Sequence, residues 1–92
     1  MFDLVIRNAK LVDGTGAPAR DADIAIKDGL IAEIGKVGSM EETATTEIDA
    51  RGDLVTPGWV DIHTHYDGQV TWDPYLSPSG WNGVTTAVMG NC

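Results

Sequence analysis

"GWVDIHTHYDG", residues 58–68, begins as a short apolar run and ends in two histidines separated by one threonine, with an aspartate on either side. Side chains at i and i+2 of a strand leave the same face, so His63 and His65 should project together from the end of the run. Two imidazoles side by side are how a chain presents a pair of ligands to a metal ion. The run "WVDIH" has few positions suited to an exposed face, as expected of a strand covered on both sides. A second such run, "GVTTAVMGN", starts at Gly83, and the link between them is rich in Trp, Pro, Ser and Gly, with space for one short helix near residues 77–82. The interval from Trp59 to Cys92 matches the roughly 30 residues of a βαβ unit with a parallel crossover.

In parallel α/β folds the catalytic groups collect at the C-terminal ends of strands, where side chains escape the packed layers. His63 and His65 fall at the first such end, and Cys92 falls at the second. Adjacent parallel strands lie about 4.8 Å apart, so their ends can converge on one ion, and a thiolate beside imidazoles favours zinc over magnesium. Asp61 shares the face of His63 and Asp67 lies in the loop beyond; either could ligate the ion or orient a ring. The plainer alternatives stay open from the residues alone: a His-x-His pair can be merely solvated, and a solitary cysteine is often a small buried hydrophobe. Trp59, Trp72, Tyr75 and Trp81 read as packing residues rather than a substrate cage, and Tyr66 as either a pocket-mouth or a packing residue. Gly80 and Gly83 read as loop or helix-ending glycines, since no glycine-rich phosphate fingerprint is present.

Residues 1–56 have a different character. "FDLVIRNAKLV" (2–12) reads as two strands with a break near Asn8-Ala9, and "DGTGAPARD" (13–21) as a loop dense in turn formers. "ADIAIKDGLIAEIG" (22–35) alternates around Asp28-Gly29, a pair able to adopt the positive φ values of a type I′ hairpin turn. Imperfect alternation leaves the face of Leu30, Ile31, Ala32 and Ile34 open. "SMEETATTE" (39–47) reads as a polar loop in preference to a helical turn, and "EIDARGDLVTPG" (47–58) as two brief strands around Arg51-Gly52-Asp53. The expectation is a small antiparallel sheet over 1–56, then a strand, helix and strand over 57–92.

The 92-residue chain carries a net charge of −8, with six Lys and Arg residues against 14 acids and no basic residue after Arg51. No basic patch is available for a phosphate backbone or an anionic membrane, so neither is an expected partner. No apolar run reaches the roughly 18 residues that span a bilayer, and "MFDLVIRNAK" lacks the organisation of a secretion signal. One cysteine excludes an intramolecular disulfide. A cytoplasmic location is the expectation. The chain stops on "TTAVMGNC", still apolar and strand-like, which reads as a truncated protein.

Together, "VTPGWVDIHTHYDG" (55–68) resembles the opening strand motif of the metal-dependent amidohydrolase superfamily, and residues 1–56 resemble the N-terminal part of that superfamily's β-sandwich. Within it, "TWDPYLSPSGWNGVTTAVMGNC" (71–92) is most similar to the D-aminoacylases, which deacylate N-acyl-D-amino acids. The resemblance implies a parent with a TIM-like (β/α)8 barrel and a small β-sandwich, of which this chain holds the sandwich strands and the first βαβ. It implies His63 and His65 as ligands at one metal position and Cys92 as a ligand of a tightly held zinc, with room for a second, weaker divalent metal. The remaining ligands and the general-base aspartate are implied to lie outside this chain. The implied substrate is a small molecule, an N-acyl amino acid, opened by metal-activated water. Two other readings accompany it: a cyclic amidohydrolase of the hydantoinase or dihydropyrimidinase kind, and a non-catalytic scaffold of the same fold. A barrel takes roughly 250 residues, so this chain alone is expected to be inactive and prone to self-associate through open edges.

Overall fold

The computed structural model describes residues 1–90, which fall into two compact units that divide between Pro57 and Gly58. The first unit is a five-stranded sheet built from β1 (Phe2–Leu11), β2 (Arg20–Lys27), β3 (Leu30–Gly35), β4 (Ala44–Asp49) and β5 (Leu54–Val55). Its order is β3-β2-β1-β4, with β5 also on β1. The hairpin between β2 and β3 turns on Asp28 (φ 52°) and Gly29 (φ 76°), the expected pair of positive φ values. The sheet is mixed, however, and not antiparallel: β4 and β5 both run parallel to β1. Local alternation cannot report strand direction when the partner is more than 30 residues away, which is why the sequence misled here.

"FDLVIRNAKLV" is one strand rather than two. Its irregularity is a β-bulge in which Arg7 and Asn8 together oppose Asp23, with Asn8 at φ 56°. The extra residue lets Ile6 and Ala9, three apart, share a face with Leu11, Ala22 and Ile24. A second irregularity, between Ala25 and Ile26 on the β2 side, pairs Ile31 with Ile26 and Ile34 with Ile24. These isoleucines therefore line one hollow of about 230 Å³ together with Ile6, Leu11 and Ile24. Ile31 is 66% exposed, so the apolar face continues past the core into an uncovered edge. On the other face Val5 and Ala25 are buried under Met40.

Asp23 is 1% exposed and is the polar centre of this unit. Its Oδ1 accepts the Asn8 N–H at 2.8 Å and its Oδ2 accepts the Gly38 N–H at 3.0 Å, with Arg7 Nη1 3.5 Å away. One carboxylate thus closes both the bulge of β1 and the loop after β3.

The second unit pairs β6 (Trp59–Asp61) with β7 (Val84–Ala87) in parallel. Of the short helix expected near residues 77–82 the structure forms a single 3-10 turn, Gly80–Asn82, and a second lies earlier in the link at Gln69–Thr71. Pro74 and Pro78 remove backbone donors from this short link and break any longer helix. Side chains organise it instead. Asp73 accepts bonds from Gln69 Nε2 (2.8 Å), Ser77 N–H (2.9 Å) and Tyr75 N–H (3.0 Å). Tyr66, 7% exposed, donates its hydroxyl to the Leu76 carbonyl at 2.9 Å and also meets Ser79 Oγ, so it pins the link. The aromatics expected to pack do not pack within the described residues: Trp59, Trp72, Tyr75 and Trp81 are all more than half exposed. Gly58 allows the strands to meet, since a Cβ there would lie 2.7 Å from Thr85 Cβ and closer still to its methyl and hydroxyl.

Three outcomes follow from these contacts. Replacing Asp23 by Ala strands two backbone N–H groups, each worth about 1–3 kcal/mol, so urea unfolding of the first unit should lose about 2–4 kcal/mol while Asp23→Asn loses less. A loss below about 0.5 kcal/mol, the scale of an ordinary surface change, would refute the role. Gly58→Ala should cost about 1–3 kcal/mol by overpacking in thermal denaturation, and adding Thr85→Gly should recover part of it. The Gln69 amide, then the Ser77 and Tyr75 N–H groups, hold the Asp73 carboxyl below the usual carboxylate range. Its stabilisation is therefore full above the ordinary Asp value of about 3.9 and fades as pH falls through the lower folded value. All three tryptophans lie beyond residue 57, so their fluorescence reports this unit, and the acid transition should flatten in Asp73→Asn.

Candidate metal centre

β6 ends at Asp61, two residues before the first histidine. The Asp61 carboxylate turns back to accept the His63 N–H at 3.0 Å, a local turn that competes with continuation of the ladder. From there burial alternates with period two: His63 and His65 are exposed, and Thr64 and Tyr66 are buried. The imidazoles consequently leave on the same side, with ring centroids 5.3 Å apart and planes tilted by 50°. The anchor for this arrangement is the residue between them, since Thr64 Oγ1 donates to the Val88 carbonyl at 2.7 Å.

Further ties join the segment after β6 to the segment after β7. Val88 N–H donates to the Asp61 carbonyl at 2.8 Å, and Gly90 N–H donates to Asp67 Oδ1 at 2.9 Å. Of the acids considered as ring partners, Asp61 thus engages the His63 backbone and Asp67 the Gly90 backbone. Cys92 lies outside the described residues. Among the described residues no three His, Cys, Asp or Glu side chains gather where they could hold a metal ion. Imidazole is a common ligand of ions such as zinc, and both rings here are exposed on one side.

Thr64, Tyr66 and Asp73 are the residues here that the pattern of the chain did not single out as supports. Asp73 precedes a proline, a turn-initiating combination that could have flagged it. Thr64 gives no such signal, because its partner is 24 residues away. No helix of the described residues is long and apolar enough to cross a membrane.

The amidohydrolase family model matches residues 46–92, and the model of the urease alpha-subunit N-terminal domain matches residues 1–55. The D-aminoacylase of Alcaligenes xylosoxydans xylosoxydans is 38% identical over 91 residues, which is 99% of this chain and 18% of that protein. The crystal structure of an N-acyl-D-glutamate deacylase from Bordetella bronchiseptica, complexed with zinc and a phosphonate inhibitor that mimics the tetrahedral intermediate, superposes with a TM-score of 0.86. It is 42% identical, over 99% of this chain and 19% of that one. The L-hydantoinase of Arthrobacter aurescens superposes with a TM-score of 0.60 at 45% identity, over 71% of this chain and 14% of that one. This chain therefore spans less than a fifth of the length of these relatives. With motif, strand pairing and likeness in agreement, the chain belongs to the amidohydrolase family.

Proposed function

We propose that this chain is the N-terminal portion of a zinc-dependent amidohydrolase that cleaves the amide bond of N-acyl-D-amino acids. The observation that carries the proposal is the pair of exposed imidazoles, 5.3 Å apart, at the end of the first parallel strand of the second unit. Support for the substrate class comes from the relatives, whose names are D-aminoacylase and N-acyl-D-glutamate deacylase. His63, His65 and Cys92 are the proposed metal ligands, a nitrogen and thiolate donor set that suits zinc. A zinc ion held there would polarise the amide carbonyl and lower the pKa of water.

The chain's own contribution is positioning. Thr64 holds the two rings toward solvent, where a substrate can approach, and Tyr66 with Asp73 shapes the link beside them. A general-base aspartate, supplied by residues beyond this chain, completes the proton transfers of amide hydrolysis. The first unit contributes sandwich strands and the second a first strand, connection and second strand of a barrel. Two barrel strands cannot close, so the 92 residues by themselves are inactive and self-associate through exposed apolar groups such as Ile31, Val60 and Ile62. Hydantoin-type chemistry is the second reading, and the lower TM-score and shorter match to the L-hydantoinase weigh against it.

The full-length protein should hydrolyse an N-acetyl-D-amino acid, leave its L enantiomer and a hydantoin intact, and bind about one tight zinc per chain. His63→Ala and Cys92→Ala should each lower zinc content by atomic absorption while circular dichroism stays unchanged. Unaltered zinc content in both variants, or turnover of the hydantoin alone, would refute the assignment.

A further inference from the structure

We infer that the Tyr66 hydroxyl is a positioning group for His65, an inference that rests on the ligand assignment above and adds to it what keeps that ring in place. β6 ends at Asp61, so His65 lies four residues past the paired strand. The ring is exposed, and the backbone that carries it sets the side on which it leaves. Buried residues hold that backbone on both sides of His65. Thr64 reaches back to the Val88 carbonyl at 2.7 Å, and Tyr66 reaches forward into the link. Its phenol donates to the Leu76 carbonyl at 2.9 Å, meets Ser79 Oγ and lies 3.4 Å from the Ser79 backbone nitrogen. The Tyr66 carbonyl in turn accepts the Val70 N–H at 2.8 Å, so residue 66 is fixed through main chain and side chain at once. Leu76 sits at φ 48°, a left-handed conformation that crowds its Cβ against its own carbonyl oxygen. The phenol holds that carbonyl, so loss of the hydroxyl frees the link to leave this conformation and frees Tyr66 with it. His63 depends on the phenol less, because its own N–H is already accepted by Asp61 Oδ1 at 3.0 Å.

Tyr66→Phe keeps the buried ring and deletes only the hydroxyl. The test uses the full-length protein stripped of zinc and titrated with cobalt(II) against a chelator, as wild type, Tyr66→Phe, His65→Ala and the double variant. Tyr66→Phe should weaken cobalt binding about 10- to 100-fold, the usual effect of removing a group that orients a ligand. In the His65→Ala background the same change should add nothing, because a group that acts through a ring has no effect once the ring is gone. A loss of equal size in both backgrounds would overturn the inference, since the hydroxyl would then serve the fold in general. Unaltered binding in Tyr66→Phe beside weakened binding in His65→Ala would overturn it while leaving the ligand assignment standing. Unaltered binding in His65→Ala would remove the ligand assignment and the inference together. Where His65→Ala binds too weakly to titrate, the crystal structure of zinc-free Tyr66→Phe decides. A displaced His65 ring with His63 in place supports the role, and two unmoved rings, or two displaced together, overturn it. Where Tyr66→Phe does not fold, Ser79→Ala is read in the same titration, with weakened binding supporting the role and unaltered binding overturning it.

Discussion

The backbone of Gly58 and the side chain of Thr85 approach so closely that no carbon fits between them, and the parallel pairing of β6 with β7 depends on that approach. Pairing then places the residues after Asp61 beside the residues after Ala87. Thr64 reaches Val88, and Asp67 reaches Gly90. With Thr64 turned inward, its neighbours His63 and His65 have only the outward side left, which is how a packing constraint at a glycine ends as a pair of imidazoles facing solvent.

The first unit is governed by a comparable economy. A single buried carboxylate, Asp23, accepts two backbone N–H groups from separate segments, which satisfies donors that the bulge and the following loop leave unpaired. The bulge in β1 and the irregularity at β3 both shift alternation by one, and both shifts bring isoleucines to one face. That face is broader than the unit can cover by itself. Apolar surface is thus left exposed in each unit, at Ile31 on the first sheet and at Trp59, Trp72, Tyr75 and Trp81 in the second.

Local chemistry was legible in the sequence where a short motif sufficed. Asp28-Gly29 announced its hairpin because few pairs tolerate two positive φ values, and the alternation His63-Thr64-His65 announced a shared direction. Long-range facts were not legible. The direction of β4 depends on pairing with a strand some 40 residues earlier, and the placement of Asp23 depends on a bulge that looks in sequence like a strand break. The short helix expected before β7 is there as one 3-10 turn, Gly80–Asn82, and the link before it is tied by side chains: Asp73 accepts the Ser77 N–H and Tyr66 donates to the Leu76 carbonyl. Aromatic residue type does not by itself report burial, and Trp59, Trp72, Tyr75 and Trp81 are all more than half exposed.

The proposed function requires His63 and His65 to bind the same metal centre. Anomalous diffraction at the zinc edge from crystals of the full-length protein tests it directly. A zinc peak is expected about 2.0–2.1 Å from one nitrogen of each ring. Two imidazoles free of any peak, with zinc bound elsewhere or nowhere, would contradict it.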